Sequence, residues 1–242
     1  MFHVQLSRVP GAIAVIALAA AAAGCGTGGT TASGQTAAHS AKAGHPAAGG
    51  AAYTAAQLRA ALLGSVNGVK PAGPAEAGPY GSLHGLTAKK RSLSGVKITP
   101  AKCATASGTG LSSGKFTSVP ATVVTFRFKT VEFSEVLLAP PSALLTAALA
   151  HKIPAGCMRY HAVVKGKRYD YRITEARAPR IGDAASELNV RASGAASANI
   201  WTVIYRSHGL VGSVTVVGPG ATKAIADQLA KLVYERAQKT LA

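Results

Sequence analysis

Met158-Arg-Tyr-His-Ala-Val-Val164, Lys165-Gly-Lys167 and Arg168-Tyr-Asp-Tyr-Arg-Ile-Thr174 decide the fold of this chain. Tyr169, Tyr171 and Ile173 alternate with Asp170 and Arg172. That period of two marks a strand with one buried and one wet face. Two such runs around Lys165-Gly166-Lys167 predict a β-hairpin.

Downstream, strands are expected over Ser186 to Arg191 and Ile200 to Arg206, and Ser207-His208-Gly209 turns the chain into Val211 to Val217. A last helix is expected from about Thr222, with Ile225, Leu229, Leu232 and Val233 on one face. Lys223, Asp227, Lys231 and Glu235 fall on the other.

Upstream, Val124, Phe126 and Phe128 alternate with Thr125 and Arg127, and a second run spans Val131 to Leu138. Pro140-Pro141-Ser142 opens an apolar helix through about His151, which Pro154-Ala-Gly156 stops. Further back, Thr54-Ala-Ala-Gln57 is a capping box, with Tyr53 and Leu58 at the staple positions and Gly64 as a stop. Residues 65 to 119 are broken by Pro and Gly, and Val96-Lys-Ile98 is a candidate short strand. The sum is an α+β domain over 53–242: an antiparallel meander sheet of about six strands with helices packed on one face.

The N-terminal 52 residues read differently. Arg8 precedes an apolar run from Gly11 to Ala23, too short to span a bilayer, which takes about 20 residues. Small residues follow, the pattern of an export signal over residues 1–24. Ala22-Ala-Gly-Cys25 resembles a bacterial lipobox, in which Cys25 becomes the acylated N-terminus; Ala22 stands where Leu is usual. Ordinary cleavage after Ala21-Ala22-Ala23 is the rival and would release a secreted protein. Lipidation of Cys25 leaves Cys103 and Cys157 as an even pair for a disulfide in an oxidising compartment. Residues 26 to 52 contain no Val, Ile, Leu or aromatic, so 25–52 is expected to be a disordered tether of about 30 Å r.m.s..

The 242 residues hold 26 Lys+Arg against 9 Asp+Glu, a formal charge of +17. Only Arg8 and Lys42 of those cations precede Tyr53, so the charge belongs to the domain. A hydrophobic content of 48% excludes a wholly disordered chain, and 3 Cys exclude a disulfide-dense mini-protein. Cations cluster at Lys89-Lys90-Arg91, at Lys165, Lys167 and Arg168, and from Arg177 to Arg180. Nucleic acid is the reflex partner of such a balance, but export argues against it. Outside the cell, anionic lipid, wall polymer or an acidic small molecule remain, and so does a charge that serves solubility alone. The hairpin tip at Lys165, Lys167 and Arg168 and the run Lys89, Lys90 and Arg91 are the candidate anion contacts.

Enzyme motifs are sparse. There is no Gly-x-Ser-x-Gly, His-Glu-x-x-His or P-loop. Ser112-Ser-Gly-Lys115 has the Ser-x-x-Lys spacing of acyl enzymes, but its composition is that of a loop and the companion Lys-Thr-Gly is missing. Glu132 and Glu135 would face opposite ways on a strand. His84, His151, His161 and His208 are scattered, and no catalytic residue, cofactor or metal is assigned. Cys157 and His161 share a strand face, but no second pair completes a metal site.

The Ala-rich leader, the tether, the Thr54-Ala-Ala-Gln-Leu-Arg-Ala-Ala-Leu-Leu63 helix and the Cys pair bracketing a helix recur in exported actinobacterial proteins. Arg180-Ile-Gly-Asp183, Val203-Ile-Tyr-Arg206 and Val211-Gly-Ser-Val214 do so too. Over residues 53 to 242 the chain resembles the lipoproteins similar to the extracellular sensor domain of PknH-type receptor kinases. The resemblance implies a mixed sheet-and-helix domain with a cleft, a sensing or ligand-binding role and no catalysis. It also implies two disulfides, of which only one pair of cysteines is available here. The expectation is a membrane-anchored extracytoplasmic domain that binds or senses a ligand without catalysis. The alternatives are an extracytoplasmic hydrolase acting on wall material and a structural protein docking on the anionic envelope.

Overall fold

The computed structural model describes residues 52–84, 96–105, 110–112, 114–149 and 153–241. The leader, Cys25, the tether, Lys89, Lys90, Arg91 and His151 lie outside them.

The hairpin forms as β5 (Arg159–Val164) and β6 (Lys167–Ala176). Lys165 and Gly166 alone make the turn, with φ of 49° and 75°. Two consecutive positive φ values give a turn whose twist matches the strands it joins. The register therefore pairs Val164 with Lys167 and Arg159 with Arg172. The expected three-residue loop would have shifted that register by one.

The meander continues through β7 (Ala184–Gly194), β8 (Ala198–Ser207) and β9 (Leu210–Gly218). His208 and Gly209, again both at positive φ, turn β8 into β9. A second hairpin, β3 (Pro120–Arg127) and β4 (Glu132–Leu138), joins the far side of β9. Two short strands complete the edges: β1 (Glu76–Pro79) beside β3 and β2 (Lys97–Thr99) beside β5. The described residues thus form one antiparallel sheet of nine strands in the order β1-β3-β4-β9-β8-β7-β6-β5-β2. Six strands had been expected. The edge strands sit in stretches rich in Pro and Gly and are too short to show a period. The sheet is also not one meander, because the chain crosses from β4 to the far side of the sheet before entering β5.

Among the described residues, three helices pack on it. In α1 (Ala55–Ala61) both halves of the capping box are present: Gln57 N–H donates to Thr54 Oγ1 at 3.3 Å, and Thr54 N–H donates to Gln57 Oε1 at 2.8 Å. α1 and α3 (Lys223–Leu241) lie side by side over β3, β4, β9 and β8, and Arg236 donates to the Ala60 carbonyl at 3.1 Å. α3 turns Ala226, Leu229, Ala230, Val233 and Ala237 inward; Leu232 stays 39% exposed, against expectation. Small alanines let the helix seat close to the strands.

α2 (Ser142–Leu149) packs on the opposite face, where Ala148 meets Leu138, Ile204 and Val211. Helices therefore cover both faces, not one. Because β3, β4, β8 and β9 are roofed twice, their sequences read as near-continuous apolar runs, as in Ala121-Thr-Val-Val124 and Leu210-Val-Gly-Ser-Val214.

Cys103 and Cys157 are bonded across 54 residues, with their Cα atoms 5.4 Å apart. The bridge is buried on the α2 face of the sheet, in a cluster with Tyr160, Tyr171, Ile173, Val190 and Ile200. Tyr160 and Tyr171 stack there with ring centroids 4.9 Å apart.

Candidate functional site

The helices α1 and α3 cover only part of their face. Beyond them, β2, β5, β6 and the end of β7 bury one set of side chains and leave the alternate set in water. Register aligns this wet set into rungs. Arg159, Arg172 and Arg191 are direct cross-strand partners, so three guanidinium groups share one rung of three adjacent strands. All three are exposed. Like charges placed opposite one another destabilise a sheet, so this rung opposes folding.

One rung further, toward the hairpin tip, Thr99, His161, Asp170 and Ser193 line up. On the other side of the arginines stand Thr174, Asn189 and the half-buried Trp201. Asn189 donates to the Ile200 carbonyl at 3.3 Å. Lys97 and Arg168 extend the cationic surface. Asp170 is the carboxylate on this face of β2, β5 and β6 among the described residues, and Arg168 donates to its Oδ1 from Nε at 3.2 Å and from Nη2 at 3.1 Å. Both are exposed, so their pairing adds little stability. Arg159, Arg172, Arg191, His161, Asp170 and Ser193 line an open depression of about 510 Å³.

The hairpin-tip cations picked from sequence are split by this geometry. Arg168 joins the arginine face. Lys167 pairs with Val164, whose side chain is buried on the other face, and Lys165 occupies the turn. Arg159, Arg172 and Arg191 were missed because they form no run in the sequence and meet only through register. The signal was available: each stands at a wet position of an alternating strand, and a two-residue reading of the turn places Arg159 opposite Arg172.

Carboxylates take a different place. Glu135 and Glu187 lie on one rung with Val214 and Val203 between them, beneath α1 and α3. Burial pushes the Glu135 carboxyl up to about 8, against the lowering pull of the Leu63 N–H on Oε2 at 3.1 Å and of the Arg236 charge. Glu135 is therefore protonated at neutral pH. Burial also raises the Glu187 carboxyl, although Lys223 bonds it at 2.6 Å. Burial opposes the charge on Lys223 as well, yet its bonds to Asp227 and Glu187 hold the proton and raise its pKa. Three strand intervals, about 14 Å, separate the two acids, beyond the reach of a glycosidase pair. Glu132 lies on the opposite face from Glu135 and pairs with Arg127 at 2.9 Å.

Ser207, His208 and Asp183 come together at the β8–β9 turn but do not form a nucleophile and its relay. Ser207 Oγ is bonded with His208 Nδ1 at 2.9 Å, and Gln238 donates to it at 3.1 Å. Asp183 accepts the His208 backbone N–H at 3.4 Å, not the ring. Ser207 is 1% exposed. The cluster ties the turn to the end of α3. Ser112 and Lys115 fall in separate 3-10 turns, Gly110–Ser112 and Gly114–Phe116, not on one helical face. Among the described residues no group of three or more His, Cys, Asp or Glu could hold a metal ion, and no helix is long and apolar enough to cross a membrane.

No protein-family model matches this chain, and no curated protein does. Solved structures do. The extracellular domain of PknH from Mycobacterium tuberculosis is similar with a TM-score of 0.51 at 15% identity, over 81% of this chain and 100% of that one. An uncharacterised protein from Mycobacterium smegmatis gives 0.40 at 15% identity, over 60% of this chain and 77% of that one. The chain thus has a PknH-like fold, as the resemblance in its sequence implied.

Proposed function

We propose that this protein is a non-enzymatic extracytoplasmic binding domain, held at a membrane through acylated Cys25, that takes up anionic envelope material on its open sheet half. The observation that carries the reading is the in-register rung Arg159, Arg172 and Arg191 on a face that no helix of the described residues covers. A rung of like charges persists against its own repulsion when an anion offsets it. Arginine suits this task, because its planar fork gives two parallel hydrogen bonds to a carboxylate or phosphate. The buried and separated positions of Glu135 and Glu187 weigh against a hydrolase. Export and anchoring rest on the leader and the lipobox-like Ala22-Ala-Gly-Cys25, and the PknH-like fold accords with a sensor-like role.

The test uses the full-length protein. Isolated cell-wall material should retain the wild type, with retention falling steeply as salt rises. A variant with Arg159, Arg172 and Arg191 all changed to Ser should be retained at least about tenfold more weakly, with a flatter salt dependence. Equal retention of both would refute the reading. Anchoring is tested separately: Cys25→Ser should move the protein from the membrane fraction to the soluble one.

A further inference from the structure

The rungs beside the arginines narrow the ligand class. This step rests on the anion-binding reading above. A site built only for charge would keep carboxylates away, yet Asp170 stands on the rung next to Arg172, about 7 Å along the same strand. Its neighbours across the strands are His161 and Ser193. These groups accept or exchange hydrogen bonds with hydroxyls. On the other flank of the arginines, outside the lining of the depression, Trp201 lies diagonal to Arg191 and next to Asn189, packed in part on the core beneath α1 and α3. A half-buried indole offers an apolar flank of the kind a sugar ring packs on.

The face also lacks what a bilayer site needs. The large exposed hydrophobic residues among those described are Met158 and Leu232. Leu232 is on α3. Met158 falls in register with Ile173, whose side chain is buried on the opposite face. Among the described residues, no large exposed apolar side chain lies on the arginine face.

We infer that the ligand of this face is an acidic glycan, its anionic groups on the Arg159–Arg172–Arg191 rung and its hydroxyls on Asp170, His161 and Ser193. The sign of one substitution separates this from simple charge attraction. Asp170→Asn removes a negative charge and releases Arg168, so any ligand held by charge alone must bind more tightly. A ligand whose hydroxyls donate to Asp170 must bind more weakly.

The experiment compares the full-length wild type and Asp170→Asn, checked for an unchanged thermal midpoint, against four probes at matched ionic strength. They are polygalacturonate, polyphosphate, neutral dextran and vesicles of phosphatidylglycerol. The inference predicts that wild type prefers polygalacturonate to polyphosphate and dextran. It also predicts that Asp170→Asn weakens polygalacturonate binding about fivefold to tenfold while strengthening polyphosphate binding. If Asp170→Asn strengthens binding to both polymers, the anion surface stands and the glycan assignment falls. Tight binding to vesicles alone assigns the face to lipid and overturns the inference. Binding to none of the charged probes overturns the inference and the underlying function together.

Discussion

Strand β7 runs through two different environments on one face of the sheet, buried at Glu187 and exposed at Arg191. Where α1 and α3 cover that face, the rung beneath them carries Glu135, Val214, Val203 and Glu187, all buried. Where the helices stop, the corresponding positions carry Arg191, Arg172 and Arg159, all exposed. In the covered half, the sheet is buried on both sides and its few ionisable groups are forced toward neutrality or into pairing with Lys223. In the open half, the sheet is buried on one side, and cations crowd the other without a roof among the described residues. Under the proposed function, stability is concentrated in the first and binding in the second.

The largest effect should come from breaking the covered half. Phe133 is fully buried and stacks on Phe126 with ring centroids 5.3 Å apart. Phe133→Ala should cost about 5 kcal/mol in urea unfolding. A loss under about 1 kcal/mol would mean that this half is not the stable core.

The open half has one buried face, and the Cys103–Cys157 bridge fastens that layer. Replacing both cysteines with Ala should cost about 4 kcal/mol by the loop-closure argument. Hydrogen exchange should place the loosening in β2, β5 and β6 before β3 and β4. Uniform loosening would erase the distinction between the halves.

Glu135 sharpens the comparison through pH. Its carboxyl titrates near 8 in the folded protein and near 4.5 in the unfolded chain. Between those values the folded state holds a proton that the unfolded state has lost. Stability from this group is therefore full below about pH 4.5, falls as pH rises to about 8, and is level above. Glu135→Gln keeps an oxygen for the Leu63 N–H and should flatten the decline, gaining on the order of a few kcal/mol at high pH. Parallel stability–pH curves for the two proteins would contradict this.

The smallest effect is a gain in the open half. Arg172→Thr relieves repulsion from both neighbours on its rung. It should raise stability by about 0.5 kcal/mol while weakening anion binding. Arg172→Thr on the open rung and Phe133→Ala in the covered core thus move stability in opposite directions.

How much of this was legible depended on the half. Tyr169, Tyr171 and Ile173 against Asp170 and Arg172 announced a strand with one wet face, because that strand has one. Thr54 and Gln57 announced α1 because capping is local. The runs of β3, β4, β8 and β9 showed burial but not what buries them, so α2 was expected beside α1 and α3. β1 and β2 were obscured by their length and by neighbouring Pro and Gly. The candidate site was illegible for a geometric reason. Its arginines come from three strands, and a loop read as three residues puts Ile173, not Arg172, opposite Arg159. Charge runs such as Lys165-Gly-Lys167-Arg168 drew attention because they are contiguous, yet only Arg168 reaches the arginine face.

The central claim is that the arginine rung is where an anion binds. Its most direct test is a titration of the full-length protein with polygalacturonate, followed through the side-chain Nε–Hε signals of arginine by nuclear magnetic resonance. The account predicts saturable shifts at Arg159, Arg172 and Arg191, with Arg59 and Arg236 on the covering helices unmoved. Shifts spread evenly over all arginines, or confined to Arg59 and Arg236, would contradict it.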